Sequence, residues 1–288
     1  MKLKTVILFL AFVVVLAVVY SSLPSDSFST KNGRFSYPQN RPIPKHDESV
    51  VEDVASHSLT KISFESHGVV VYALLRVPKN SSNPPVVIIL PGATVPKEAR
   101  QNLAILLQEK GFASLALDER GNGETKLEET TAQEEFEKFR QGKEPQEARM
   151  TLDVLKAFDL LGAFPVNKNK IFLLGESMGG RYSMFASAIE KRFAGVILVS
   201  SSGYGLPTGQ TQEQTDFLRL IDPDNYVSLI KAPILFIHSP SDKVIPFSSA
   251  QNTFRKANEP KDFFVVNCPH GYCDAMNGKI IEWFKRYA

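Results

Sequence analysis

The sequence predicts an α/β protein in which a mainly parallel sheet is covered by helices on both faces. Three observations carry this. Apolar runs at 86–90, 113–117, 170–174, 195–200, 234–238 and 263–266 show no polar face, as strands buried on both sides do. Helical patterns at 97–110, 146–161, 178–190 and 248–257 fall between most of these runs. A serine flanked by glycines, Gly175-Glu176-Ser177-Met178-Gly179, stands where one run meets the next helix. Such a serine sits on a sharp turn with its hydroxyl exposed.

The chain divides into an N-terminal segment at 1–20, a linker at 21–50 and a folded domain at 51–288. Lys2 and Lys4 precede an uninterrupted apolar run at 6–20, the charged-then-apolar layout of an export signal. The run is shorter than the roughly 20 apolar residues of a spanning helix. Val19-Tyr20-Ser21 is a mediocre cleavage site, so the segment is expected to act as a signal peptide or as an uncleaved anchor, with membrane attachment through residues 3–20. In either case the domain is expected outside the cytoplasm, secreted, periplasmic or membrane-anchored. Pro24, Pro38, Pro42 and Pro44 among serines and asparagines read as a linker with little ability to fold alone.

Within the domain, 61–65 and 69–77 read as a hairpin across Ser66-His67-Gly68, completing an eight-stranded, mostly parallel sheet. A last helix covers 274–286. Two stretches stand outside the alternation, both at carboxyl ends of strands, where open sheets bind ligands. The glutamate- and lysine-rich stretch 124–144, with Phe136 and Phe139 on one face, reads as a solvated surface helix. The stretch 204–231 is the candidate for a short lid, because Phe217, Leu218, Leu220 and Ile221 have no evident place in the core.

Composition excludes several classes. The chain has 288 residues, 43% of them hydrophobic, which suffices for one full core. Its 33 basic and 31 acidic residues leave a net charge of +2, too little to draw nucleic acid. His46, His57, His67, His238 and His270 never fall into paired ligand spacing, so no metal is expected, and no cofactor motif is present.

A serine hydroxyl becomes nucleophilic when a base takes its proton, and the base needs an orienting carboxylate. Ser177 follows one strand, Asp242 lies in the turn after 234–238, and His270 lies just past 263–266. All three therefore belong to one edge of the sheet, in the order serine, acid, histidine. Asp118 ends a strand but precedes the serine, and His238 closes the acid-bearing strand, where lining or packing suits it better. An oxyanion site needs two backbone donors. Met178, at the start of the helix after the serine, supplies one; Ala93, in Leu90-Pro91-Gly92-Ala93-Thr94, supplies the other, with Thr94 as its neighbour.

Taken with Asp118-Glu119-Arg120-Gly121-Asn122-Gly123, Asp242-Lys243-Val244-Ile245-Pro246 and Pro269-His270-Gly271, these motifs make the chain resemble the α/β-hydrolase superfamily from about Ile62 onward. Within it the resemblance is to single-domain serine esterases related to dienelactone hydrolases and to acyl or xylan esterases. It implies an α/β-hydrolase fold and a catalytic triad of Ser177, His270 and Asp242. The chain departs from members that carry histidine at the positions of Pro91 and Asn122, glycine at Ser239, or a cysteine nucleophile. The expected activity is hydrolysis of a small-molecule carboxylic ester, or a related acyl bond, through an acyl-enzyme. A peptidase, a lipase and a non-catalytic binding protein on the same fold are the alternatives.

Several residues carry quieter expectations. Cys268 and Cys273, the two cysteines, bracket His270; a disulfide and two free thiols are both open. Glu176 is expected to be exposed or bonded locally, Arg120 to anchor its loop, Arg181 to lie on a helix surface, and Ser200 to Ser202 to border the pocket.

Overall fold

The computed structural model describes residues 26–127 and 130–288; the export-signal expectation at 1–20 lies outside the described residues. The main sheet is built from β3 (His46–Asp53), β4 (His57–Ser66), β5 (Val69–Pro78), β6 (Val86–Leu90), β7 (Ala113–Leu117), β8 (Ile171–Glu176), β9 (Gly195–Val199), β10 (Ile234–His238) and β11 (Lys261–Val265). Their order across the sheet is β11-β10-β9-β8-β6-β7-β5-β4-β3. The strands from β6 to β11 run parallel to one another, and β3, β4 and β5 are joined antiparallel at the β7 edge.

Alternation along the parallel strands feeds two cores. Val86, Ile88 and Leu90 face α3 (Gln146–Leu160) and α4 (Met178–Ile189), whereas Val87 and Ile89 face α1 (Gln101–Glu109) and α7 (Asn277–Tyr287). Two buried faces explain why these strands carry no polar side. Because β6 lies between β7 and β8, the chain leaves β6 toward one side and returns across it to the other. A ligand crevice opens at such a reversal, outside the carboxyl ends of the strands.

Among the described residues the sheet carries nine strands, against the eight expected. The extra one is β3, an edge strand exposed along almost its whole length and rich in acidic residues. An edge with no buried face leaves no alternating apolar pattern, and its charges keep it from pairing further.

The linker expectation for 21–50 is also corrected over its described part, residues 26–50. Residues β1 (Ser29–Lys31) and β2 (Arg34–Ser36) form a hairpin whose turn residues Asn32 and Gly33 both have positive φ. Phe35 and Tyr37 are buried, and the Phe35 ring lies 5.2 Å from those of Phe185 and Tyr226. Burying one such ring stabilises the fold by roughly 1.5–3 kcal/mol. Arg41 inserts between Asp159, at 2.7 Å, and Glu190, at 2.9 Å. Through Phe35, Gln39 and Arg41 this stretch lies against the helical layer rather than forming a free tether.

The lid expectation is corrected in part. Leu220, Tyr226, Val227 and Ile230 belong to the α3/α4 core, and the Tyr226 hydroxyl both accepts from the Phe35 amide and donates to the Leu220 carbonyl. Ahead of them α5 (Gln212–Ile221) meets α2 (Ala132–Arg140): the Phe217 ring lies 5.6 Å from Phe136 and 5.4 Å from Phe139, and Arg140 pairs with Glu213. The stretch read as a solvated surface helix therefore has an aromatic partner contributed by the other excursion. Both helices start with a capping box, at Thr131/Glu134 and Thr211/Gln214.

Candidate active site

Ser177 occupies the turn between β8 and α4 with φ +51° and ψ −111°. Such a backbone is costly for a side-chain-bearing residue and persists only where the surroundings impose it. Here the flanking glycines allow the imposition. A Cβ on Gly179 would stand 2.3 Å from the Leu90 carbonyl oxygen, and one on Gly175 2.2 Å from Ser183 Oγ. Strand β6 and helix α4 thus touch through backbone alone. The Ser177 amide donates to Val199 at 2.9 Å, and its carbonyl accepts from Ser201 Oγ at 2.8 Å.

The structure brings Ser177, His270 and Asp242 into one chain of contacts. His270 Nε2 is 2.9 Å from Ser177 Oγ, and Nδ1 is 2.8 Å from Asp242 Oδ2 and 3.0 Å from Oδ1. The Asp242 side chain is fully buried. Burial works to raise its pKa, but hydrogen bonds from His270 and from the amides of Ile245 and Val244 outweigh it and hold the carboxyl below its ordinary value. A buried carboxylate so held fixes the imidazole with Nδ1 as donor and Nε2 as acceptor toward the serine.

The loop carrying His270 is secured at several points. The Gly271 amide donates to Ser200 Oγ at 3.1 Å, the Cys268 amide to Ser239 Oγ at 3.3 Å, and a disulfide joins Cys268 to Cys273. Gly271 has φ +95°, and a Cβ there would meet Glu176 Oε1 at 2.4 Å. Ser200 and Ser201 thus act in the scaffold. His238 lies behind the acid: it is buried, its Nε2 bonds the Ile245 carbonyl at 3.0 Å, and burial lowers its pKa.

The loop after β6 passes close to the serine, with the Gly92 Cα so placed that a Cβ would lie 3.5 Å from Ser177 Cβ. Asn122, buried, grips this loop on both sides of Ala93. Its Oδ1 accepts from the Thr94 amide at 2.6 Å, and its Nδ2 donates to the Gly92 carbonyl at 3.0 Å. Thr94 is thereby committed, with φ +66°, whereas the amides of Ala93 and Met178 have no hydrogen-bond partner among the described residues.

Other charged residues tie the rim together. Asp118 accepts from the amides of Lys97 and Glu124 and from Lys97 Nζ, all at 2.7–2.8 Å. Arg120 binds Asp153 through two nitrogens and donates to the Ser66 carbonyl, as an anchor should. Arg181 donates to the Ser202 carbonyl and lies 4.1 Å over the Tyr204 ring. Glu176 differs from its expectation: it is buried and accepts two hydrogen bonds from Arg100, far away in sequence. Nothing local to the pentapeptide signals that contact, which exists only because β6 and β8 are neighbours.

A sharp serine turn at a switch point, with an acid and a histidine from later strand ends, defines an α/β-hydrolase fold. Residues 82–221 match the serine aminopeptidase, S33, family. The chain is 28% identical over 242 residues to "Putative esterase YitV" of Bacillus subtilis, covering 70% of this chain and 89% of that protein. Its fold matches acetyl xylan esterase from Paenibacillus sp. R4 (TM-score 0.74, 18% identity, 85% of this chain and 89% of the other). It also matches acetyl xylan esterase 1 from Thermoanaerobacterium sp. (TM-score 0.70, 17% identity, 85% and 88%). The resemblance to the α/β-hydrolase superfamily read from the motifs is borne out.

Proposed function

We propose that the protein is a serine esterase that cleaves a carboxylic ester in two steps through an acyl-enzyme. The observation that carries this reading is the unbroken hydrogen-bonded path from Ser177 Oγ through His270 to Asp242, starting from a serine held at positive φ. In the first step Ser177 Oγ attacks the ester carbonyl while its proton passes to His270 Nε2. Asp242 stabilises the imidazolium, and the amides of Ala93 and Met178 receive the oxyanion. Collapse expels the alcohol, which takes the proton from His270. Water, deprotonated by the same nitrogen, then releases the acid and regenerates Ser177.

A peptidase would use the same three side chains, and the match to a serine aminopeptidase family favours testing it. Ester chemistry is preferred because the relatives named by activity include a "Putative esterase" and two acetyl xylan esterases. The apolar run at 6–20 and the disulfide at Cys268–Cys273 support a place outside the cytoplasm.

The test has two arms. A fluorophosphonate probe is expected to label the folded protein at Ser177 and not the Ser177→Ala variant. Short p-nitrophenyl esters and peptide amides are then compared. Turnover of amides without esters overturns the ester reading, and failure to label overturns the enzyme.

A further inference from the structure

His270 stands inside a covalent ring. The two cysteines of the chain, Cys268 and Cys273, lie five positions apart and are joined, and the segment between them is Pro269-His270-Gly271-Tyr272. Residues 266–273 belong to no strand or helix, so no backbone ladder holds them. Between Val266 and Met276 only the amides of Cys268 and Gly271 find acceptors among the described residues, and both acceptors are serine hydroxyls. Backbone so sparsely bonded opens readily.

The ends of the ring are fixed where its middle is not. Cys268 is buried in the core, and its amide meets Ser239 Oγ in the turn that carries Asp242. The Cys273 carbonyl accepts from the amide of Met276, a fully buried residue at the head of α7. The disulfide therefore ties the end of β11 to the start of α7 and spans the histidine between them. Apart from it, the middle of the loop rests on single contacts: Gly271 on Ser200, His270 on Asp242, and the Tyr272 hydroxyl on Asn277 Oδ1. A ring this short removes less freedom from the unfolded chain than a long-range bridge does. Its effect is local and falls on the base. His270 Nε2 must keep its 2.9 Å contact with Ser177 Oγ, and a displacement of about 1 Å costs on the order of 10²-fold in rate. Cys273 is partly exposed, so a small thiol can approach that end of the bridge.

We propose that the Cys268–Cys273 pair is a redox latch on the catalytic histidine: oxidised, the enzyme is competent; reduced, it is folded but slow. This rests on the serine-hydrolase reading above and adds its control. A dithiol opens the latch by exchange. One of its thiolates bonds to the Cys273 sulfur and expels Cys268 as a thiolate; its second sulfur then closes on the first and expels Cys273. Two electrons and two protons pass to the pair, which ends as two thiols, and the dithiol ends as a disulfide. The reverse exchange with a small disulfide closes the latch. A chain held among reducing thiols is thus kept slow and becomes competent on oxidation.

The test compares the full chain oxidised by glutathione disulfide, reduced by dithiothreitol and then reoxidised, alongside the Cys268→Ser/Cys273→Ser double variant. Reduction should lower both kcat on a short p-nitrophenyl ester and the rate of fluorophosphonate labelling at Ser177 by about tenfold or more, with KM within about twofold. Reoxidation should restore both rates. The double variant should match the reduced protein and ignore dithiothreitol. The near-UV circular dichroism should be kept, and Tm should fall by less than about 10 °C. Equal kcat and labelling in the oxidised and reduced forms overturn the latch and leave the hydrolase standing. So do thiols that persist under glutathione disulfide, or a near-UV spectrum lost together with the activity. Labelling that follows the redox state without ester turnover overturns the ester reading and keeps the latch. Absence of labelling in every form overturns the hydrolase and the latch with it.

Discussion

The Asn122 side-chain oxygen accepts the Thr94 amide at 2.6 Å, drawing a loop that follows β6 onto a turn that follows β7. With the second bond from Nδ2 to the Gly92 carbonyl at 3.0 Å, Asn122 brackets Ala93, whose amide has no hydrogen-bond partner among the described residues. The two-sided grip uses both the oxygen and the nitrogen of the amide side chain.

Asn122→Ala is expected to lower kcat about 10- to 10²-fold with little change in KM, since a slack loop weakens stabilisation of the oxyanion more than ground-state binding. Asn122→Asp keeps the acceptor for Thr94 but sets a carboxylate against the Gly92 carbonyl, and should not restore the rate. Steady-state kinetics on a short p-nitrophenyl ester decides; an unchanged kcat in Asn122→Ala removes Asn122 from this role.

Asp242→Asn should cost about 10⁴-fold in kcat, because an amide cannot hold His270 in the required tautomer. The same carboxyl has a pH signature in stability. Its folded pKa lies below the ordinary 3.8, so its contribution is complete above that value and is lost as pH falls through the lower folded value. Acid unfolding followed by circular dichroism should accordingly be less steep below about pH 4 in Asp242→Asn than in the wild type.

Glu147 works in the opposite sense. Burial, opposed by its own backbone amide and reinforced by Glu135, lifts its pKa from 4.5 to about 7. The folded state then binds the proton more tightly than the unfolded chain. The resulting stability is complete below 4.5 and lost as pH rises through 7. Glu147→Gln should therefore be more stable than the wild type at pH 8.5, by on the order of 1–3 kcal/mol, and level with it at pH 4. Urea melts at the two pH values check this; an equal difference at both would refute it.

Arg41→Met should destabilise the domain by about 3–5 kcal/mol, because Asp159 and Glu190 would be left buried with only the exposed Arg192 beside them. Urea titration gives the value. A cost within ~0.5 kcal/mol would mean that residues 26–45 contribute little to the fold.

Read as a one-dimensional pattern, the chain already contained the parallel half of the sheet and the serine turn. Strands such as Val86–Leu90 and Gly195–Val199 are buried on both faces, and that burial writes itself into consecutive residues. Gly175 and Gly179 are required within a few positions of Ser177, so the close approach is recorded locally too. The order of Ser177, Asp242 and His270 along the chain was likewise visible, since each follows a strand.

What the sequence could not disclose depends on contacts between distant segments. Strand β3 is exposed and acidic, and only its pairing with β4 makes it a strand. Phe35, Tyr37 and Arg41 looked like parts of a tether until α3 and α4 supplied the pockets and the carboxylates that receive them. Asn122 on Thr94, Arg100 on Glu176 and Ser200 on Gly271 join residues far apart in the chain. A hydrogen bond of that kind imposes no period on its neighbours, so only the crossing of strands in three dimensions decides which side chains meet.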